Sequence, residues 1–311
     1  MRLSKTKLSE VNLSKVKRRQ VKNGNAAYCN VKKKLRRKAK MERSDLARRM
    51  KQYEAVPKTV LMRRTPVILR IDGRAFHTLT RGFHKPFDKV LNLSMIDTMR
   101  FLCENIQGCV LGYTQSDEIT LVLVDYKKLT SDPWFGYEVQ KLCSIGASMA
   151  TVGFNNAFSR RVEDYGLYNR GSVFYHRYLN VLEAGAMFDC RAFNVPREEV
   201  TNNIYWRQLD ASRNSIQMLG QVHFTHKELQ NKNCSEIQDM LMTQKGINWN
   251  DLPVYQKRGT CCVKCKGLVE LETDDPMDDV ERNSWKVDLN IPIFKGDDRN
   301  YIESLLEPEE K

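Results

Sequence analysis

A chain of 311 residues, 41% of them hydrophobic, has enough apolar material for one large domain or two modest ones. Its formal charge of +13 excludes an acidic protein, yet residues 1–40 carry fifteen Lys or Arg against one acid, Glu10, which leaves the remainder at −1. The longest apolar runs, such as Ile119 to Val124, are too short to cross a bilayer, and nine cysteines without a framework spacing fit thiols in a reducing, intracellular compartment.

Residues 1–41 form a basic leader with clusters such as Lys15-Val16-Lys17-Arg18-Arg19 and Lys32-Lys33-Lys34-Leu35-Arg36-Arg37-Lys38. Three readings fit it. It is a solvated arm, an RNA clamp that releases counterions from phosphates, or an organellar (mitochondrial) transit peptide, Arg- and Ser-bearing and poor in acids. Without the third, a cytoplasmic location is the default expectation.

The fold is expected to begin near Glu42, with a short helix capped by Ser44 or Asp45. Val67 to Ile71 reads as a central strand holding one costly charge, Arg70, which calls for an anion or an acid beside it. Asp72-Gly73-Arg74 ends it. Pro86 suits a helix start, and Leu91, Met95, Met99, Leu102 and Ile106 recur at spacings of three and four. Cys109 to Tyr113 and Ile119 to Val124 are two further strands, joined by a tight polar turn at Ser116, Asp117 and Glu118.

A helix is expected from about Trp134 to Asn156, an irregular Tyr-rich excursion over 158–185, and a strand from Ala186 to Phe193. Pro196 opens a helix to about Leu219. Glu236 to Thr243 is a short helix and Gly259 to Lys264 a strand, followed by an acidic loop at 271–282. The expected organisation is leader 1–41, catalytic part 42–185, a second part 186–305 of the same unit, and a tail 306–311.

Strand, helix, strand is a crossover unit, so the first two strands should be parallel, with their C-terminal ends at one edge of the sheet. If they are neighbours, Asp72 and Asp117 face one small volume. Two carboxylates there repel each other unless a cation sits between them, and oxygen ligands beside phosphates favour Mg²⁺. Cys262-Val263-Lys264-Cys265 is half of a zinc site, with His223 and His226 as distant partners; strand-packed thiols are the competing reading. Tyr165, Tyr168, Tyr175 and Tyr178 are base-stacking candidates against a default of packing.

The ordered set Ile68 to His77, Lys85-Pro86-Phe87-Asp88, Gly112 to Glu118, Asp189-Cys190-Arg191, Trp206-Arg207-Gln208, Gly246 to Asn250 and Lys257 to Thr260 resembles the tRNA-histidine guanylyltransferase family, which adds nucleotides in the 3′–5′ direction. The resemblance spans roughly residues 42–305. It implies an α/β (α+β) fold, a polymerase-palm or ferredoxin-like sheet with flanking helices and a family-specific C-terminal extension. It also implies a homotetramer acting on the 5′ end and acceptor stem of tRNA, with ATP and GTP or other nucleotides as substrates and two Mg²⁺ per site. Asp72, Gly73 and Asp117 match the metal ligands, with Glu118 an essential neighbour. Asp72, Gly73, Arg74, Ala75, Phe76, His77 and Ser116 match nucleotide contacts. Arg70, Lys85 and Asp88 match positions for activation and triphosphate handling, and Lys141 is retained on the second helix.

Two departures narrow the expectation. Ser212-Arg213-Asn214-Ser215 stands where the eukaryotic enzymes carry His-Ile-Asn-Asn, which resembles the branch that repairs truncated tRNA 5′ ends by template. Tyr137 or Glu138 stands where relatives have an Arg. Two other classes compete: a nucleotidyl cyclase-like palm, opposed by the Trp206 and Trp249 motifs, and a non-catalytic RNA binder with a retired palm, opposed by intact Asp72, Asp117 and Lys85.

Overall fold

The computed structural model describes residues 45–269 and 280–308. Its contacts divide the chain into two compact units, residues 1–58 and 59–311. In the first, the described part is helix α1 (Asp45–Ala55), with Asp45 in its first turn. The expected leader, 1–41, lies outside the described residues.

The second unit is built on one six-stranded sheet. Its strands are β1 (Val67–Gly73), β2 (Cys109–Gln115), β3 (Glu118–Leu123), β4 (Phe188–Asn194), β5 (Thr260–Val269) and β6 (Val280–Asp288). The order is β4-β1-β3-β2-β5-β6, and every neighbouring pair is antiparallel. β1 and β2 are therefore not neighbours in the sheet, which was the expected condition for Asp72 and Asp117 to face one volume. They do run in the same direction, since each opposes β3, but β3 stands between them. The two-residue turn at Ser116-Asp117 folds β3 back onto β2. All six residues of β3 are buried, Glu118 and Thr120 included, as suits a strand flanked by neighbours on both edges. The shared edge for the strand ends survives this change.

Side chains alternate across the sheet. Leu69, Ile71, Ile119 and Leu121 face a layer that includes α3 (Lys89–Asn105), α4 (Val139–Asn169) and α5 (Val173–Ala184). A short α2 (Phe76–Leu79) precedes them. Full burial of Met95, Met99 and Leu102 on α3 contributes about 1.5–3 kcal/mol each. Helix α3 starts at Lys89 and not at Pro86, because the Asp88 carboxylate caps it by accepting from the Leu91 N–H at 2.9 Å.

The expected irregular excursion over 158–185 is helical. Leu142, Gly146, Ala150, Phe154, Phe158, Val162 and Gly166 recur every fourth residue as one buried ridge, so α4 has a packing reason to continue to Asn169. Arg160 to Asp164 break the apolar composition there without breaking the ridge. Ser172 then caps α5. Of the four tyrosines, Tyr178 is wholly buried and Tyr165 and Tyr175 pack against the same core, while Tyr168 is exposed.

Ile68, Leu111, Tyr113 and Val122 face the other way, against α6 (Arg197–His223) and, at the end of the chain, α10 (Asn300–Leu306). Between them come α7 (His226–Leu229), α8 (Cys234–Lys245) and α9 (Val254–Arg258). The end of α6 and α8 share a small third core with Trp249. The expected acidic loop falls largely outside the described residues; its last positions, 280–282, belong to β6. No helix among the described residues is long and apolar enough to cross a membrane.

Candidate active site

Strand β1 and the β2–β3 hairpin end at one edge. Asp72 lies opposite Glu118 in the β1–β3 register, and the Gly73 N–H donates to the Asp117 carbonyl at 3.1 Å. The ladder therefore brings Asp72 and Asp117 together. Ser116 takes φ +50° in the turn, an uncommon conformation outside glycine, and its hydroxyl donates to Asp117 Oδ1 at 2.9 Å. Burial pushes the Asp117 carboxyl above the usual carboxylate range. The Ser116 hydrogen bond opposes that shift, the Asp72 charge adds to it, and His77 opposes it.

These donors fit Mg²⁺. Two carboxylates and the Gly73 carbonyl are hard oxygen ligands, and like charges at a partly desolvated edge call for a cation. Among the described residues no group of three or more His, Cys, Asp or Glu is placed to cage a metal. Mg²⁺ needs no such cage, because it keeps waters and substrate phosphates as ligands. The zinc reading fails on geometry. Cys262 and Cys265 are three apart on β5, and a strand points such residues to opposite faces.

Glu118 is held otherwise than as a ligand. Arg207 of α6 donates from Nε to Oε1 at 2.6 Å and from Nη2 to Oε2 at 2.9 Å, with both residues only 6% exposed. Burial raises the Glu118 carboxyl, and the Arg207 and then Arg70 charges draw it down. Arg207 also bonds Asp210 at 2.9 Å. Arg70 finds the acid its place in the strand required: its Nε is 3.6 Å from Glu118. That contact is not a hydrogen bond, and the buried Nε has no hydrogen-bond partner. Both guanidiniums lie against the Trp206 indole, at 4.5 Å for Arg207 and 5.8 Å for Arg70.

Downstream of Asp72, the Arg74 N–H donates to the Met187 carbonyl at 2.9 Å and Ala75 turns the chain at φ +55°. Phe76 is not a nucleotide-facing side chain. Its ring is buried 5.4 Å from that of Phe154 and 5.1 Å from that of Phe188, so only its backbone is available at the site. A Cβ on Gly73 would sit 2.4 Å from that ring, which is why this position is glycine. Arg74, Ala75 and His77 are exposed.

Asp88 is likewise committed to structure. Besides capping α3 it accepts from the His84 N–H at 3.0 Å and from the buried Tyr178 hydroxyl at 2.7 Å. It holds the loop that carries Lys85. Exposed Lys85 lies on the wall of a cavity of about 140 Å³ with Thr114, Gln115, Ser116 and, from α6, Asn214 and Ser215. The departing stretch of the sequence thus faces this cavity through Ser215, beside Asn214. We expect Asp88→Ala to cost about 1–2 kcal/mol, the range for a lost cap, and to loosen the Lys85 loop; a urea melt reads the loss.

Lys141 is not brought to this edge. It lies in the first turn of α4, behind the opposite face of the sheet, paired with Glu138 at 3.2 Å. The second departure, at Tyr137 and Glu138, lies there too: Tyr137 is buried and Glu138 precedes α4.

On the far side of the cavity Gly259 has φ +84° and ψ −167°, a region open essentially to glycine alone, and an added Cβ would meet the Thr114 carbonyl oxygen at 2.6 Å. Next to it, the Arg258 carbonyl accepts from the Tyr113 hydroxyl at 2.6 Å. Gly259→Ala should destabilise by about 1–3 kcal/mol or more in a denaturant melt.

Sequence reasoning named the Trp206 motif but gave no site role to Trp206, Arg207 or Asp210. The signal was an Arg and an Asp three apart on one helix, which share a face. Asp189, named there only within a motif, pairs with Asp72 across β1–β4 and is exposed.

The sequence model of the family described as Thg1: tRNAHis guanylyltransferase matches residues 47–196. A solved bacterial tRNA(His) guanylyltransferase (Thg1)-like protein in complex with ATP is 41% identical, with a TM-score of 0.68 over 84% of this chain and 99% of that one. Another solved structure, a bacterial protein of that description in complex with GTP, is 39% identical, with a TM-score of 0.66 over 85% and 99%. The tRNA(His) guanylyltransferase of Kluyveromyces lactis is 25% identical over 231 residues, covering 70% of this chain and 90% of its own.

Proposed function

Because this chain belongs to the tRNA(His) guanylyltransferase (Thg1) family and is a 3′–5′ nucleotidyltransferase, we propose that the edge formed by Asp72 and Asp117 carries the transfer to tRNA 5′ ends. The observation that carries this reading is the Gly73 amide bonded to the Asp117 carbonyl, which sets Asp117 in the β2–β3 turn beside Asp72 at the end of β1, next to a cavity walled by Lys85 and Ser116.

Two phosphoryl transfers follow from that activity. An oxygen of the RNA 5′-monophosphate attacks the α-phosphorus of ATP, and pyrophosphate leaves. The 3′-hydroxyl of the incoming nucleotide then attacks the activated 5′-phosphorus, and AMP leaves. Asp72, Asp117 and the Gly73 carbonyl would hold Mg²⁺, which when bound neutralises charge on the attacking and leaving oxygens. The protein's own part is positioning and charge. Lys85 supplies a mobile cation to the phosphates from the cavity wall. Arg70, with its Nε unbonded, directs positive charge toward the Asp72 edge. Glu118 acts through others, fixing Arg207 and Arg70 by their charges. The cavity receives the base of the nucleotide, with Asn214 and Gln115 on its wall.

Templated repair of shortened 5′ ends is the finer reading, supported by Ser212-Arg213-Asn214-Ser215 in place of the eukaryotic His-Ile-Asn-Asn and by the 41% likeness to a bacterial Thg1-like protein. Assembly as a homotetramer belongs to the same reading, and sedimentation tests it. For the chemistry, the full chain is incubated with Mg²⁺, α-labelled ATP, and full-length and 5′-truncated tRNAs. Adenylylation followed by extension that stops at the templated length is expected. RNA binding with no adenylylation would favour the retired-palm reading instead.

A further inference from the structure

Trp206 is a large apolar side chain that the fold leaves in water. It is 52% exposed, although it stands on α6, the helix that covers the catalytic face of the sheet. Its surroundings are fixed. The Arg207 guanidinium beside its ring is itself clamped by Glu118 and Asp210, and Arg70 lies near the same ring, two residues before Asp72 on β1. The indole is thus an exposed aromatic plane with two guanidiniums beside it, near the edge that carries Asp72. On the edge strand β4, Arg191 lies opposite Arg70 in register and is exposed.

We propose that the open side of the Trp206 indole is the stacking platform for the 5′-terminal base of the RNA acceptor. A base has a π-face whatever its identity, so such a platform positions the end without reading its sequence. Arg191 and Arg70 flank it with charge suited to the terminal phosphates. The occupant is the RNA end and not the free nucleotide, because the proposed nucleotide cavity lies farther along α6. Asn214 and Ser215 reach that cavity two turns beyond Trp206, about 12 Å along the helix axis. The proposal rests on the reading that an RNA 5′ end reaches Asp72.

The test measures equilibrium binding of the full chain to labelled 5′-monophosphate tRNA, without ATP or divalent cation, so it does not depend on turnover. The variants are Trp206→Phe, which keeps a ring, and Trp206→Leu, which keeps bulk alone. A matched tRNA carries an abasic first nucleotide. Trp206→Leu should weaken binding of intact tRNA about ten-fold, the scale of one base–aromatic stack, and Trp206→Phe should restore most of it. The abasic tRNA should bind wild type about ten-fold more weakly and show no further loss with Trp206→Leu. An equal loss on both RNAs would assign Trp206 a structural role and overturn the proposal. So would unchanged RNA affinity, or a shift confined to the KM for ATP or GTP. Failure of the transferase reading would show separately, as wild-type protein that binds tRNA and does not extend it.

Discussion

Asp72→Ala and Asp117→Ala each lower nucleotide addition by roughly a thousand-fold or more, beyond what loss of one hydrogen-bond donor costs an enzyme. Each removes a proposed Mg²⁺ ligand and the charge that offsets the metal. Neither should unfold the protein, since neither side chain belongs to an apolar core. The Asp117 carboxyl sharpens the expectation. Its folded pKa is raised, chiefly by burial, so the folded state binds the proton more tightly than the unfolded one. Its ionisation therefore opposes folding, and the penalty grows as pH rises through the carboxylate range. Without metal, Asp117→Asn should melt at or above the wild-type temperature at pH 7, with the gain fading on acidification. A thermal series over pH, with initial rates on tRNA and ATP, checks both parts. Extension at the wild-type rate by either Ala variant would remove the pair from the chemistry.

The second large effect concerns Glu118. Arg207→Met leaves a carboxylate buried with only the longer contact to Arg70, and breaking a buried pair from one side costs about 3–5 kcal/mol. Removing both charges, as Arg207→Met with Glu118→Met, should recover much of that in a denaturant melt, because the desolvation penalty disappears with the pair. Without Arg207, the Glu118 carboxyl rises further and takes up a proton. The single variant should therefore lie closest to wild type at acidic pH and fall behind as pH rises. The double variant should stay slow even where it is stable, because Arg70 then lacks its acid. A double variant with wild-type turnover would show that the ion pair matters to the fold alone.

The parts of this architecture legible in the sequence were those with local cause. The apolar run ending at Asp72, the Ser116 turn and the helix through Met95 and Met99 each carry their reason within a few residues. The insertion of β3 between β1 and β2 does not, because it is decided by which strand is buried on both faces once all six are present, and β3 is so buried with Glu118 and Thr120 in it. The length of α4 was hidden for a related reason: its ridge is read by spacing alone, while Arg160 to Asp164 mask it in composition. At the proposed site, the ends of the apolar strands pointed to Asp72 and Asp117, and the family resemblance to Lys85. It could not reveal that Phe76 turns into the core, that Asp88 is occupied by His84 and Tyr178, or that Lys141 stands behind the sheet. Those are facts of direction, and direction is set by tertiary packing. The Arg207 clamp on Glu118 joins segments far apart in the chain, and no window on the sequence contains both.

The hydrogen bond from the Gly73 amide to the Asp117 carbonyl ties one proposed ligand strand to the other. Solvent can exchange that amide proton only when the Ser116-Asp117 turn parts from the end of β1, which is also the event that separates the carboxylates. Exchange at Gly73 is therefore a direct gauge of how often the centre comes apart. Because the bond closes a long loop through α3, the centre should be among the last features to appear during refolding and should have no partially assembled form. Gly73 protection should then track the global unfolding free energy, while the amides of Arg81 and His84, in the outer loop, exchange by smaller openings.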